Sequence, residues 1–538
     1  MIKLQGKGAS AGIAIGRICF LKRKSISVEK RIVSDIEKEA ERFENARRTA
    51  AEQLDVLSVD MVEKIGKENA VLFEIHRMLL EDPDYTDPIT EIIRAESACA
   101  EYAVNTASSR LAQDFAEMDD DYMRARAIDV YDISKRLIEI LSGNSQTRDI
   151  AAQPAILAAD DFTPSETAQL DRSMVLALVS RQGASNSHTA IFARTMGIPA
   201  AIGFGAFLTG DMSGKDAIID GETGILYVDP DSGTVAQLTE KAQRLKKEHE
   251  KLEKMRGQKT MTKNGRHIKL CANIGSVNDA DIALAGDAEG VGLFRSEFLY
   301  LGRNDFPDEE TQYENYKKVL EKMGDRQVII RTLDIGADKQ ADYFKLPQEE
   351  NPALGMRAIR ICLTRPDIFR TQLRAIYRAA VHGNAAIMFP MINSLNDLVR
   401  AKEAAKAVTD ELAAEKKPFK TVPVGIMVET PAAAVISDIL AKESDFFSIG
   451  TNDLTQYTLA IDRQNDSIGE FCDTHHEAVL RLIRLTAENA HKAGIWCGIC
   501  GSLGGDLALT KTFVEMEIDE LSVEPSKILK LRSVIAES

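Results

Sequence analysis

Polar and reactive side chains follow short apolar runs in the second half of the chain, and their types suit chemistry on a small anion. The guanidinium forks of Arg295 and Arg331 can bind phosphate or carboxylate oxygens in pairs. Glu429 and Asp453 are hard oxygen ligands of the kind that Mg²⁺ prefers. The residues at these positions are Asn273, Arg295, Arg331, Glu429, Asn452, Asp453 and Cys500. Together they predict a pocket for a small phosphorylated carboxylate with a divalent ion, although surface salt bridges and helix N-caps remain the alternatives.

The motif "WCGIC" at 496–500 has three possible interpretations. A redox dithiol normally opens a helix after an early strand, whereas this motif lies in the seventh apolar run of its region. A zinc site would need a second pair of ligands, and none has suitable spacing. We therefore expect a single thiol, Cys500, to act as a proton donor and Cys497 to belong to the core.

His188 opens the segment "HTAIFARTMGIP", whose apolar spacing predicts a helix that ends at Gly197. The free N–H groups and the positive dipole end at a helix start favour an anion there. The same field disfavours imidazolium, so the imidazole would be neutral and nucleophilic. His188 is thus a candidate phosphoryl acceptor, with an ordinary buried or loop histidine as the alternative.

The surrounding pattern predicts an α/β multidomain protein. After residue 265, eight apolar runs alternate with helical segments, which indicates a C-terminal (β/α)₈ TIM barrel whose strand ends would gather the side chains above. The first part reads as an α/β domain interrupted by an all-helical bundle. The predicted domains are 1–32 with 144–232 (α/β domain), 33–143 (inserted bundle), 233–262 (linker helix) and 263–538 (barrel).

Composition narrows the function further. The formal net charge of −16 argues against nucleic acid as a partner, and no apolar run is long enough to insert into a membrane. Residues 33–143 hold 26 acidic and 13 basic residues, so a basic partner or a merely solvated face is expected there. Seven scattered cysteines indicate a reducing, cytoplasmic setting.

Long ordered motifs carry a resemblance that spans essentially the whole chain. The sequence resembles the enzyme I family of the bacterial phosphoenolpyruvate:sugar phosphotransferase system, the phosphoenolpyruvate–protein phosphotransferases. The matching motifs are "DDFTPSETAQL" (160–170), "SHTAIFAR" (187–194), "GVGLFRSEFLY" (290–300), "RTLDIGADK" (331–339), "NPALGMRAIR" (351–360), "GIMVETPAA" (425–433), "IGTNDLTQYTLAIDR" (449–463) and "GICGSLGGD" (498–506).

The resemblance implies a role for each matching residue. His188 would be the phosphohistidine intermediate in a swivelling α/β domain, oriented by Thr167. Phosphoenolpyruvate would be contacted by Arg295, Arg331, Asn452, Asp453 and Arg463, with Arg357 as support. Glu429 and Asp453 would hold Mg²⁺, and Cys500 would protonate the enolate to give pyruvate. The acidic bundle would dock the phosphocarrier HPr in the first step of sugar uptake, and the barrel would form a homodimer.

Three positions depart from the family pattern: Ala184 replaces a glycine, Asn186 a threonine, and Ser502 the usual glutamate. They put the turnover rate in question rather than the reaction class. Pyruvate phosphate dikinase and phosphoenolpyruvate synthase are similar in the same motifs. They would also need a nucleotide-binding domain, for which the sequence has no P-loop-like glycine loop. A phosphate-accepting regulator with an inactive barrel remains the alternative from another class.

Overall fold

The computed structural model describes residues 1–21, 28–65, 67–116, 121–143, 153–168, 170–183, 187–336, 342–347, 349–463 and 465–538. The chain forms two compact units, residues 1–248 and 249–538. Among the described helices, none is both long and apolar enough to cross a membrane.

The first unit is built on an eight-stranded mixed sheet. The central strands β3 to β6 are parallel, and β1, β2, β7 and β8 pair antiparallel around them in the order β1-β8-β7-β3-β4-β5-β6-β2. Every residue of β4 and β6 is buried, as expected for a sheet covered on both faces. The strands are β1 (Ile2–Gln5), β2 (Lys7–Ser10), β3 (Ile13–Phe20), β4 (Ala155–Ala159), β5 (Val175–Ser180), β6 (Ala200–Ile202), β7 (Asp216–Asp220) and β8 (Ile225–Val228).

Helices α1 to α5 lie between β3 and β4 and form a bundle, whose apolar side chains belong to one hydrophobic core with residues of β4, β5, β6 and α7. Pro83 occupies the first turn of α3, where its missing N–H costs no hydrogen bond, and Asp82 caps that helix. The helices of this part of the chain are α1 (Ile36–Ile65), α2 (Lys67–Glu81), α3 (Pro83–Glu96), α4 (Ala100–Ala116), α5 (Asp121–Leu141), α6 (Pro164–Ala168), α7 (His188–Thr195) and α8 (Ser232–Glu253).

The second unit is a closed barrel of eight parallel strands, in which β16 pairs with β9 to complete the ring. Most strand residues are buried because helices cover the outside and side chains fill the interior. The strands are β9 (Lys269–Ile274), β10 (Val291–Arg295), β11 (Gln327–Arg331), β12 (Asn384–Phe389), β13 (Val424–Val428), β14 (Phe446–Ile449), β15 (Trp496–Ile499) and β16 (Glu520–Val523).

Helices α9 to α19 connect and cover these strands. Helix α12 begins at a proline, and α17 ends at Gly494 in the left-handed conformation, as is typical of helix ends. The helices are α9 (Asp279–Ala285), α10 (Glu309–Met323), α11 (Ile359–Thr364), α12 (Pro366–Ala379), α13 (Leu395–Ala414), α14 (Pro431–Val435), α15 (Ser437–Leu440), α16 (Thr451–Leu459), α17 (Glu477–Ala493), α18 (Thr510–Glu515) and α19 (Ile528–Ala536).

The fold prediction is confirmed. The eight apolar runs are the eight barrel strands, and the helical bundle is inserted into an α/β unit. Helix α2 of the bundle has both buried and exposed apolar side chains. Phe73 and Leu80 are buried in the bundle, whereas Met78 is 67% exposed. The four domain boundaries stay a prediction.

A stacked aromatic pair lies at the N-terminal ends of two neighbouring barrel strands. Phe446 of β14 and Trp496 of β15 lie face to face, with 4.7 Å between ring centroids and 3° between planes. A Cβ on Gly425 of the neighbouring β13 would lie 2.5 Å from atoms of the Phe446 ring. The glycine is therefore required by the packing of this layer.

We predict that Gly425→Ala destabilises the barrel by about 1–3 kcal/mol because the ring cannot move away without breaking its stack. Trp496 is the single tryptophan of the chain, so its fluorescence during urea unfolding reports on the barrel. Gly469→Ala is the matched control, since a Cβ there meets nothing within 4 Å. Equal unfolding midpoints for the two variants would contradict the packing argument.

Candidate active site

Two buried arginines at the mouth of the barrel are joined by one carboxylate. Asp334 lies 2.9 Å from Nη1 of Arg331 through Oδ2 and accepts a 3.0 Å hydrogen bond from Nη2 of Arg357 through Oδ1. Both arginines are at most 6% exposed. Since a buried charge without a partner is strongly unfavourable, Asp334 is what allows two cations to share this site.

Further carboxylates complete the network. Arg331 donates from Nη2 to Glu297 at 2.5 Å, and Arg357 donates from Nη1 to Asp453 at 3.3 Å and to Tyr457 at 2.9 Å. Burial lowers the pKa of both guanidinium groups, but the neighbouring carboxylates more than offset it, so each pKa is raised. Both arginines are therefore permanently charged.

Glu429 is a buried carboxylate with one oxygen unpartnered in the described part of the chain. It ends β13, is fully buried, and accepts a 2.6 Å hydrogen bond from the backbone N–H of Met391 at Oε1. Its Oε2 atom has no hydrogen-bond partner among the described residues. Burial raises the pKa of Glu429 well above its usual range, and Asp453 and Asp334 raise it further. A divalent cation at Oε2 would supply the charge and the contact that this carboxylate lacks.

The alternative role of the carboxylates as N-caps is wrong. Thr430 caps α14 by accepting a hydrogen bond from Ala433, and the cap position of α16 is Gly450. Glu429 and Asp453 are thus available as oxygen ligands. Among the described residues, no three His, Cys, Asp or Glu side chains are grouped to hold a metal by themselves. An ion here would take its other ligands from substrate and water, as Mg²⁺ commonly does.

Helix α16 brings more of the predicted residues to the same place. Asn452 and Asp453 lie in its first turn, and the Asn452 side-chain oxygen accepts hydrogen bonds from Ser502. Arg463 follows the helix, with Nη1 3.8 Å from Oδ2 of Asp453. Arg463 is far more exposed than Arg331, so it can turn toward a ligand at small cost.

Cys500 and Cys497 face opposite sides of the barrel wall. Cys500 packs inside the barrel with Met427, while Cys497 belongs to the outer core, so the two thiols of the motif do not form a redox pair. The Cys500 thiol donates to the carbonyl of Ile449 at 3.7 Å. Burial raises the pKa of Cys500 to about 11, which keeps the thiol protonated at neutral pH. A protonated thiol in a buried site is suited to donate a proton.

Two more predicted residues lie beside this thiol. Asn273 donates from Nδ2 to the backbone carbonyl of Cys500 at 3.1 Å and accepts from the Ser522 hydroxyl at 2.7 Å, which holds the cysteine in place. Arg295 ends β10, close enough for its charge to act on the Cys500 thiol. It makes no hydrogen bond or ion pair with any described residue, so its guanidinium is available to an anion.

The candidate acceptor lies in the first unit. His188 is the first residue of α7, whose cap Ser187 accepts a hydrogen bond from Ala190 at 3.4 Å. Thr189 ties this helix start to the "DDFTPSETA" segment by donating to Asp161 at 3.2 Å. The predicted helix is confirmed. The His188 side chain lies outside the described part of the structure, as do Ala184 and Asn186.

Thr167, predicted to orient the histidine, lies buried in α6. Its hydroxyl donates to the carbonyl of Pro164 at 2.9 Å and to that of Thr163 at 3.3 Å. These bonds hold the threonine within its own turn, and its role toward His188 stays a prediction.

Sequence reasoning missed three residues that hold the site together: Glu297, Asp334 and Tyr457. For two of these residues, the sequence itself offered a signal of their place in the site. Glu297 stands two residues after Arg295 and Asp334 three after Arg331, so each carboxylate follows a strand end that was already identified. Tyr457 lies one helical turn beyond Asp453, which gives no sign of a partner on another loop.

The barrel mouth thus gathers fixed cations, a buried carboxylate with one oxygen unpartnered among the described residues, an amide and a protonated thiol. Such a site can bind a phosphorylated carboxylate, stabilise negative charge that develops as a P–O bond breaks, and deliver a proton. Of the predicted barrel residues, Arg331, Arg357 and Asp453 form one network of ion pairs through Asp334, and the charge of Glu429 acts on both arginines. Asn452, Arg463 and Cys500 contact it or lie beside it.

Comparison with known proteins agrees with this chemistry. Three family models match: "PEP-utilising enzyme, PEP-binding domain" at 249–538, "PEP-utilising enzyme, N-terminal" at 5–126 and "PEP-utilising enzyme, mobile domain" at 151–224. The chain is 41% identical to the phosphoenolpyruvate-protein phosphotransferase of Priestia megaterium, and the match covers 99% of this chain and 93% of that protein. The enzyme of the same name from Bacillus subtilis (strain 168) is 41% identical, and the match covers 100% of this chain and 94% of that protein. The enzyme of the same name from Listeria monocytogenes is 39% identical, and the match covers 99% of this chain and 94% of that protein. With 41% identity over 99% of this chain and 93% of the Priestia megaterium relative, this protein belongs to the phosphoenolpyruvate-protein phosphotransferase family.

Proposed function

We propose that the protein transfers the phosphoryl group of phosphoenolpyruvate to His188 and from there to the phosphocarrier protein HPr, releasing pyruvate in the first step of bacterial sugar uptake. The observation that carries this proposal is the cluster at the barrel mouth, where Arg331 and Glu429 lie within reach of a protonated thiol, Cys500. A phosphate-accepting regulator would need no such proton donor.

Phosphoenolpyruvate would be held by residues that offer N–H donors to its two anionic groups. Arg295 has its guanidinium available, and Arg463 is exposed enough to close on a ligand. The Nε atom of Arg331 makes no hydrogen bond with the described residues, although its terminal nitrogens do. The terminal nitrogens of Arg357 are likewise bound to Asp453, Tyr457 and Asp334, and its Nε also has no hydrogen-bond partner among the described residues, so its supporting role follows from the resemblance alone.

Glu429 and Asp453 would hold Mg²⁺, because one has an unpartnered buried oxygen and both raise the local negative charge. When bound, the ion neutralises phosphate charge and orients the phosphoryl group. The arginines also neutralise phosphate charge. Because their positions are fixed, the surrounding protein groups need to move little as charge develops on the reacting atoms.

In the transfer step, an imidazole nitrogen of His188 forms the P–N bond as the P–O bond of phosphoenolpyruvate breaks. The electron pair of that bond stays on the enolate oxygen. Cys500 then gives its thiol proton to the terminal enolate carbon, which completes pyruvate and leaves a thiolate that regains a proton from solvent. Because His188 and Cys500 belong to different units, the first unit would swing in to take the phosphoryl group and away to deliver it.

HPr would dock on the acidic helical bundle. A groove between α3 and α4 has an apolar floor that includes Pro88 and Ile92, and acidic side chains including Glu91 and Asp114 line it. Charge of this sign attracts a basic partner and speeds its encounter. The exposed Met78 on α2 offers further apolar contact on the same bundle.

The remaining parts of the proposal concern assembly and location. We propose a homodimer through the barrel, supported by exposed apolar side chains on the neighbouring helices α13 and α15, such as Val399 and Ile439. Seven free cysteines among the described residues support a reducing, cytoplasmic setting.

The first test is phosphoryl uptake. With labelled phosphoenolpyruvate and Mg²⁺, the parent should gain acid-labile label and release pyruvate, and His188→Ala should do neither while keeping its thermal unfolding midpoint. His249→Ala, which removes an exposed histidine on α8, is the control and should behave as the parent. Acid-labile label on the His188→Ala variant would overturn the acceptor assignment.

The docking surface is tested by reversing charge. Glu91→Lys with Asp114→Lys should slow phosphoryl transfer to HPr at least about tenfold at low salt, with the difference shrinking as salt rises. Uptake from phosphoenolpyruvate should be unchanged. The control, Glu240→Lys with Glu248→Lys, makes the same change in net charge on α8. If phosphoryl transfer to HPr slowed equally in both double variants, the acidic bundle would act only through the net charge of the protein.

A further inference from the structure

The side-chain amide of Asn452 is held in one orientation by Ser502. Its Oδ1 atom accepts from the backbone N–H of Ser502 at 2.8 Å and from the Ser502 hydroxyl at 2.7 Å. A backbone N–H can only donate, so the atom that faces it must be the amide oxygen. The orientation of this amide is therefore determined by the protein.

This arrangement leaves the other half of the amide available. Both lone-pair directions of Oδ1 are used, whereas Nδ2 makes no hydrogen bond with the described residues. The loop after β15 is also tied to the start of α16 by Leu503, which donates to the Thr451 hydroxyl at 3.3 Å. Asn452 thus presents two N–H donors and no acceptor at a site whose expected ligand is an anion.

We propose that Ser502 is a positioning residue for phosphoenolpyruvate binding. Its hydroxyl adds a second donor to that of the backbone N–H, and together they hold the Asn452 amide turned so that N–H groups, and not the carbonyl oxygen, meet the anionic substrate. The proposal rests on the function proposed above.

The chemistry of the serine matters for this role. An ionised glutamate, the residue that the family pattern would place here, has no hydrogen to donate to Oδ1, so the backbone N–H alone would hold the amide. A hydroxyl at position 502 therefore supplies a contact that a glutamate side chain could not. Ser502 is exposed, so replacing it should not disturb the fold.

The proposal is tested by steady-state pyruvate release with HPr at varied phosphoenolpyruvate. Ser502→Ala should raise KM about 3- to 10-fold, the range for one lost hydrogen bond, with kcat within about twofold. Ser502→Thr keeps the hydroxyl and should match the parent, whereas Ser502→Glu should be at least as impaired as the alanine variant. In an Asn452→Ala background, Ser502→Ala should change KM little, because the residue through which it acts is gone.

A direct measurement separates this proposal from the proposed function. Phosphoenolpyruvate binding with Mg²⁺ is measured by calorimetry on the His188→Ala protein, with and without Ser502→Ala. The role of Ser502 is overturned if the two proteins bind phosphoenolpyruvate equally tightly, or if Ser502→Ala weakens binding as much in the Asn452→Ala background as without it. Neither result overturns the proposed function. Absence of any phosphoenolpyruvate binding overturns the proposed function and, with it, this inference.

Discussion

The buried bridge from Arg331 through Asp334 to Arg357 is the interaction on which the rest of the site depends. Two guanidinium groups that are nearly inaccessible to water would repel each other, and each would lose its hydration. A single carboxylate that pairs with both makes the arrangement possible, and the barrel supplies it from the loop directly after β11. Removing Asp334 would therefore disturb both arginines at once.

Further carboxylates lie beside this bridge. Glu297 and Asp453 each pair with one of the two arginines, whereas one oxygen of the buried Glu429 has no hydrogen-bond partner among the described residues. A site of this kind is organised before substrate arrives, so binding energy is not used to assemble it. Under the proposed function, metal and substrate would bind in a manner that depends on each other, since both would contact the same group of buried charges.

Sequence patterns predicted the barrel well because its signal is local. Each strand is a short apolar run, and parallel strands in a barrel end at one face, so Arg331, Glu429 and Cys500 could be assigned to one site before any contact was known. The bonds of Ser502 and Asp334 could not, because ion pairs and hydrogen bonds between loops depend on the distance between segments far apart in the chain. Period-2 alternation correctly separates Cys497 from Cys500, since residues three apart on a strand face opposite sides.

Mn²⁺ binding followed by electron paramagnetic resonance shows whether the buried carboxylates at the barrel mouth hold a divalent cation. Mn²⁺ shares the oxygen ligands and octahedral geometry of Mg²⁺. With phosphoenolpyruvate present, the His188→Ala protein should bind one Mn²⁺ per chain, and adding Glu429→Gln should weaken that binding at least about tenfold. Adding Asp438→Asn, which removes an exposed carboxylate on α15, should leave it unchanged. Equally tight Mn²⁺ binding by the Glu429→Gln protein would contradict the account.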